Sequence, residues 1–199
     1  MLKTTILSAA LAATFIISSG ASIAAAASGH MKTLGRTSQP IGHAMFCQQF
    51  PSECRVKART TKAPKLTRKR WKEIVSINSQ INRMVTPVTD MDYYGVEEHW
   101  TYPRDHGDCE DYVLLKRHML MQNGWPASSL LITVVKQPNG DGHAVLTVRT
   151  DRADYVLDNL STKVKQWNKT PYRYIKRQSA RHSGHWITIR DRRAEVASY

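Results

Sequence analysis

The sequence predicts an α+β fold, with helices first and an antiparallel sheet after them. Three observations predict it. Apolar residues recur at steps of three and four between Thr67 and Val85, and again between Cys109 and Asn123. From Leu130 onward this period gives way to short apolar, β-branched runs. Those runs are separated by turn signals, the strongest being Pro138-Asn139-Gly140-Asp141-Gly142. Strands that follow helices, rather than alternate with them, give the α+β order.

The chain opens on Lys3, an apolar run from Ile6 to Ile17, a polar break at Ser18-Ser19-Gly20 and small residues from Ala24 to Ala27. Charge, apolar stretch and small-residue exit, in that order, describe a secretory signal peptide over residues 1–27, cleaved near Ala26 or Ala27. The alternative is an uncleaved anchor. The apolar run is about a dozen residues, short of the roughly 20 that a spanning helix needs. The expected location is therefore periplasmic. A mature chain of about 170 residues suits one domain with a real core.

Residues 28–66 read as an irregular lead-in rich in Gly, Pro, Ser and basic residues. They hold two of the three cysteines, Cys47 and Cys54. Disulfides persist in an oxidising compartment, and a Cys47–Cys54 bridge would close a short loop around Pro51. Cys109 is then the odd thiol, which in an exported chain is either an intermolecular link or reactive. The alternative pairing, with Cys109 bridged, stays open at this point.

The domain proper is expected over 67–199. Thr67 is placed to cap a helix whose buried face carries Trp71, Ile74, Val75, Asn78, Ile81 and Val85, with Pro87 ending it. A long connection rich in aromatics follows. A second helix runs from Cys109 to about Asn123, its apolar side formed by Tyr112, Val113, Leu115, Met119 and Leu120, with Gly124 at the position after its end. Strands are predicted at 130–135, 143–149, 155–157 and 185–190, as an antiparallel meander.

The chain carries 29 Lys+Arg against 16 Asp+Glu, a formal net of +13. Such a field favours acidic partners. Export argues against nucleic acid. What is left is a soluble basic face, or attraction to an anionic membrane or an acidic substrate.

The chemistry centres on Cys109. A thiol attacks as thiolate, and a helix N-terminus or a nearby imidazolium lowers its pKa. The second helix supplies the first. Of the eight histidines, His143 is the best source of the second, because it opens a strand just after a tight turn. Asp158, at the end of the neighbouring strand, can hold the other imidazole nitrogen. If Val145 pairs with Val156, His143 pairs with Asp158 on the same face. The bland readings are an inert buried cysteine and a surface histidine. The three together point to a Cys-His-Asp site.

Gly107-Asp108-Cys109-Glu110-Asp111-Tyr112, followed by Lys116-Arg117, resembles the hallmark of the bacterial transglutaminase-like cysteine peptidases, the LapG-type periplasmic proteases. The resemblance extends through Gly142-His143-Ala144-Val145-Leu146 and Val156-Leu157-Asp158-Asn159-Leu160, and upstream through Val75-Ser76-Ile77-Asn78 with Ile81-Asn82. It implies a papain/transglutaminase-like fold, a nucleophile-bearing helix packed on an antiparallel sheet. It implies Cys109 as nucleophile, His143 as base and then acid, and Asp158 as the orienting group. The reaction implied is acyl transfer through a thioester: proteolysis with water as acceptor, transamidation with an amine. The resemblance also implies calcium, held by Asp108 and Glu110 with help from Asp105 or Asp111. Hard oxygen ligands suit that ion, though acids at a helix start also simply favour the dipole. No organic cofactor is called for. A periplasmic or surface protein, such as an adhesin, is the implied substrate, and an inner-membrane receptor the implied regulator. A non-catalytic binding module is the reading from another class.

Overall fold

The computed structural model describes residues 29–191 and residue 193. The expected signal peptide lies outside them. No helix among the described residues is long and apolar enough to cross a membrane.

The chain begins with β1 (Lys32–Thr37), then α1 (Ile41–Gln49) and α2 (Pro51–Cys54). An extended stretch leads to α3 (Arg68–Met84), β2 (Thr86–Pro87), α4 (Asp90–Tyr94), β3 (His106–Gly107) and α5 (Cys109–Gln122). The remainder is strands: β4 (Leu130–Lys136), β5 (Gly142–Arg149), β6 (Asp154–Leu157), β7 (Lys165–Gln166), β8 (Arg173–Ser179) and β9 (His182–Arg190). The α+β order holds.

The Thr67 side chain accepts the Arg70 N–H and caps α3 as predicted. The helix buries Ile74, Ile77, Asn78 and Ile81. Each isoleucine removed from water stabilises by about 2 kcal/mol. Trp71, expected on that stripe, is 36% exposed and meets Tyr155 edge-on at its rim. Helix α5 is buried on nearly every side, so Leu114, Lys116 and Arg117 lie inside as well as the predicted Tyr112, Val113 and Leu120. Gly124 takes the left-handed conformation, φ 81°, that ends the helix.

The sheet has seven strands in the order β1-β9-β8-β4-β5-β6-β7. It is not the simple meander expected. Strand β4 pairs with β5 on one side and β8 on the other. The chain therefore crosses back after β7 to extend the sheet in the opposite direction. Strand β8 is hidden in the sequence by its charge. Its Lys176 and Arg177 read as part of a basic run, yet Arg177 is buried and pairs with Asp154 at 3.0 Å.

The lead-in differs more. An irregular stretch is expected over 28–66, but the described part of it contains an edge strand and two helices. Strand β1 is short in apolar residues because it covers an edge, pairing only with β9. The Cys47–Cys54 disulfide is present, with Cα atoms 5.6 Å apart, and ties α1 to α2. Gly184 of β9 lies so close that a Cβ there would stand 2.6 Å from the Cys54 carbonyl oxygen.

The two faces of the sheet carry different cores. Ile132, Ala144, Leu146 and Leu157 pack with Ile74, Ile81, Leu114 and Leu120 on the helix side. Val135, Val145, Val156 and Ile189 pack with Trp167, Tyr172 and Tyr174 on the other. The register between β5 and β6 is displaced from the expected one. Val156 pairs with Thr147, not Val145, and Leu157 with Leu146. A two-residue displacement keeps every side chain on its face, because the pleat repeats every two residues. Asp158 lies just past the strand's end, diagonal to His143 rather than opposite it.

Candidate active site

Helix α5 presents Cys109 as its first residue. The parallel bridge of Thr86 to His106 and Pro87 to Gly107 anchors the lead-in. Gly107 must be glycine here, because a Cβ would stand 2.7 Å from Asp111 Oδ2 and 3.1 Å from Pro103. Cys109 is the free cysteine among the described residues. Its Sγ donates to Glu110 Oε2 at 3.2 Å and accepts the Ala144 N–H at 3.3 Å. The second contact fastens the helix that carries Cys109 to the start of β5.

His143 is the second residue of β5, buried beside that contact. Its Nε2 lies 2.9 Å from Asp158 Oδ1. This leaves Nδ1 as the nitrogen free for proton transfer. Asp158 is held on every side. Tyr172 donates to its Oδ2 at 2.6 Å and the Leu160 N–H to its Oδ1 at 3.0 Å. Its own N–H donates to Asn78 Oδ1, and its carbonyl accepts from Asn82 Nδ2. Burial works against the Asp158 charge, but hydrogen bonds from His143 and Tyr172 outweigh it and hold its pKa below the ordinary value. The sequence-predicted residues are thus brought together: Cys109 and His143 line one cleft of about 590 Å³, and Asp158 backs the imidazole.

Trp100, Glu98, Pro40 and Ile41 form one wall of the cleft, and Val134 and Lys176 also line it. The Trp100 indole donates to Glu98 at 2.8 Å. Gly42 allows this wall to close, since a Cβ on it would meet Trp100 at 2.3 Å and Glu98 at 2.6 Å. Sequence reasoning misses the wall from α1. Nothing in Pro40-Ile41-Gly42 signals a cleft without the tertiary fold. Tyr172 escapes it for the same reason.

The electrostatics correct one expectation. A helix start alone lowers a thiol pKa. Here burial, then Glu110 and Asp108, push the Cys109 thiol well above its ordinary value instead. The carboxyls themselves are crowded. Burial and then Asp108 push Glu110 up to about 10. Burial, assisted by Asp108 and Asp90, pushes Asp111 up to about 8. Burial raises Asp108 too. Ligand atoms of Asp108, Cys109 and Glu110 lie within 4.8 Å of one another, and so do those of Asp90, Asp108 and Asp111. Asp108 Oδ1 and Asp111 Oδ2 are buried without a hydrogen-bond partner. Asp105 stands apart, turned to His106 at 3.1 Å.

Lys116, two turns down α5, is fully buried, and its Nζ has no hydrogen-bond partner. Burial lowers its pKa to about 7, against the opposing pull of Asp158.

Residues 33–194 match the family model described as bacterial transglutaminase-like cysteine proteinase. Among solved structures, calcium-bound LapG of Legionella pneumophila is similar with a TM-score of 0.52 and 22% identity, over 64% of this chain and 74% of that one. A second LapG structure from that organism gives 0.51 and 23%, over 66% and 74%. At such identities the likeness shows the fold, a transglutaminase-like arrangement of helix and antiparallel sheet. No curated protein matches in sequence.

Proposed function

Given that this chain belongs to the bacterial transglutaminase-like cysteine proteinases, we propose that it is a periplasmic endopeptidase acting through Cys109, His143 and Asp158. The observation that carries the reading is the 2.9 Å pairing of His143 with Asp158 at the back of the cleft that Cys109 lines. Cys109 Sγ attacks the scissile carbonyl as His143 Nδ1 takes its proton. His143 then returns that proton to the leaving amine. Water, deprotonated by the same imidazole, releases the thioester. Asp158 fixes the ring and stabilises the imidazolium. Backbone N–H groups at the start of α5 are the candidate donors to the oxyanion.

The acid cluster fits a calcium ion. Its donors are hard oxygens, two of them are buried without partners, and their charges crowd one another. Asp108 and Glu110 would hold the ion, with Asp90 and Asp111 beside them. Its positive charge, when bound, offsets the carboxylates that push the Cys109 thiol up. The similarity to calcium-bound LapG supports this reading.

The substrate in this reading is a periplasmic or surface protein such as an adhesin, and an inner-membrane receptor would regulate access to the cleft. Surface proteomics of cells carrying wild type or Cys109→Ala, with and without a calcium chelator, tests it. New N-termini are expected with calcium and wild type only. Crosslinked partners in place of new termini would instead establish transamidation. Identical surface proteomes in all four samples would remove the endopeptidase reading.

A further inference from the structure

The face of the sheet turned away from α5 carries a second cleft, of about 490 Å³. Arg36 on β1, Arg149 on β5, Arg177 on β8, Arg181 in the β8–β9 turn and His185 on β9 line it. The register places these residues together. Arg36 and Arg177 both pair with Ile187, and Arg177 pairs with Thr133 on the other side. No carboxylate lines the cleft among the described residues.

Four guanidiniums in one concavity repel unless something offsets them. The fold supplies little. Asp154 pairs with Arg177 Nη1 at 3.0 Å, but its Oδ2 also accepts the Met31 N–H. Arg149 Nη1 donates to the carbonyls of Thr61 and Ser128, which carry no charge. Arg36 Nη2 sits 2.7 Å from His185 Nδ1, an arrangement that needs a neutral imidazole. The rings of His182 and His185 stack 4.0 Å apart beside them. Arg177 is 5% exposed, and its Nε–H is buried without a hydrogen-bond partner. A buried guanidinium donor left open, in a cleft lined by further guanidiniums, matches what a phosphate oxygen accepts.

We propose that this cleft binds a ligand bearing two or more phosphate groups, at a site separate from the Cys109 cleft and on the opposite face of the sheet. The guanidiniums grip the phosphate oxygens, and the hydroxyls of Thr33, Thr61 and Ser179, which also line the cleft, add neutral donors. The volume suits a small polyanion or a headgroup. Phosphate groups reach such a site either on a soluble molecule or on a lipid.

Calorimetry of the mature, disulfide-bonded protein with sodium tripolyphosphate tests the site, in buffer matched for ionic strength with sodium chloride. Saturable one-to-one binding is expected. Arg36→Glu/Arg181→Glu, at two exposed positions, should weaken it by about tenfold or more. Lys69→Glu/Lys72→Glu on α3 makes the same change in net charge elsewhere and should alter it by less than about twofold. Should charge reversal disturb β1, Arg36→Gln/Arg181→Gln gives the same order with a smaller loss. Flotation with phosphatidylcholine vesicles, with and without cardiolipin, whose headgroup carries two phosphates, separates the sources. Binding to tripolyphosphate alone assigns a soluble ligand, and binding to both assigns a headgroup. Absent or unsaturable tripolyphosphate binding, or equal weakening by the α3 variant, overturns the site. Binding to vesicles alone also overturns it, because flat adsorption needs no cleft.

Discussion

The phenol of Tyr172 donates to Asp158 Oδ2 at 2.6 Å, while the two rings of Tyr172 and His143 lie 5.4 Å apart. Tyr172 thus holds the carboxylate from one side as the imidazole holds it from the other. Tyr172→Phe removes one hydrogen bond to a charged group and should lower kcat/KM by about tenfold. Asp158→Asn disturbs the tautomer itself and should cost about a thousandfold or more. Steady-state kinetics on a cleavable substrate give the ranking. Equal losses in the two variants would mean that Tyr172 does more than support Asp158.

Cys109 should respond to calcium before any substrate is known. Burial and the carboxylates of Glu110 and Asp108 hold the thiol protonated. In chelator, iodoacetamide should alkylate Cys109 more slowly than a model thiol at pH 8. Calcium should speed the reaction by about tenfold, the gain in thiolate when a thiol pKa falls by about one. Glu110→Gln should be indifferent to calcium, because it removes a carboxylate proposed to hold the ion. A rate that ignores calcium in the wild-type protein would exclude the ion from any influence on the nucleophile.

Lys116 predicts a pH dependence of stability. Its pKa falls from an ordinary 10.5 to about 7 on folding. Between those values the unfolded chain binds the proton and the folded chain does not. The Lys116 contribution to stability therefore rises with pH across that window, against the opposite trend from Glu110 and Asp111, whose carboxyls are pushed up. Lys116→Met should flatten the rise and stabilise the protein near pH 6 by a few kcal/mol, since each tenfold loss of proton affinity is worth about 1.4 kcal/mol. Urea unfolding at pH 6 and pH 9 reads the difference. A wild-type curve no steeper than that of Lys116→Met would show that the ammonium is accommodated.

The disulfide should stabilise by roughly 2 to 3 kcal/mol. The pair Cys47→Ser/Cys54→Ser should lose that much in urea unfolding. It should also raise KM more than it lowers kcat, since α1 supplies Ile41, and the residue before it, Pro40, to the cleft wall. A fall in kcat alone would place the disulfide's influence on the reacting groups instead.

Where local pattern and burial coincide, the sequence can be read. Thr67 caps α3, Gly124 ends α5, and Cys109 opens it, each set by chemistry within one or two turns. His143 and Asp158 can be paired because a strand keeps its faces even when the register is displaced by two residues. Strand β8 cannot, because its buried Arg177 is indistinguishable in sequence from a solvated arginine until Asp154 is placed beside it. The same holds for β1, whose polar residues suit an edge but carry no alternation. The wall from α1 and the brace from Tyr172 depend on contacts made across the chain, and no local period encodes those.

The crowding of acids around Cys109 has a consequence for maturation. The protein must oxidise Cys47 and Cys54 while leaving its third sulfur reduced. Exchange proceeds through thiolate, so a thiol held protonated is a slow participant. Once α5 has docked, burial and the neighbouring carboxyls keep Cys109 out of mispaired disulfides. An ion held by Asp108 and Glu110 would offset that protection, so the thiol is safest where the carboxyls stand alone.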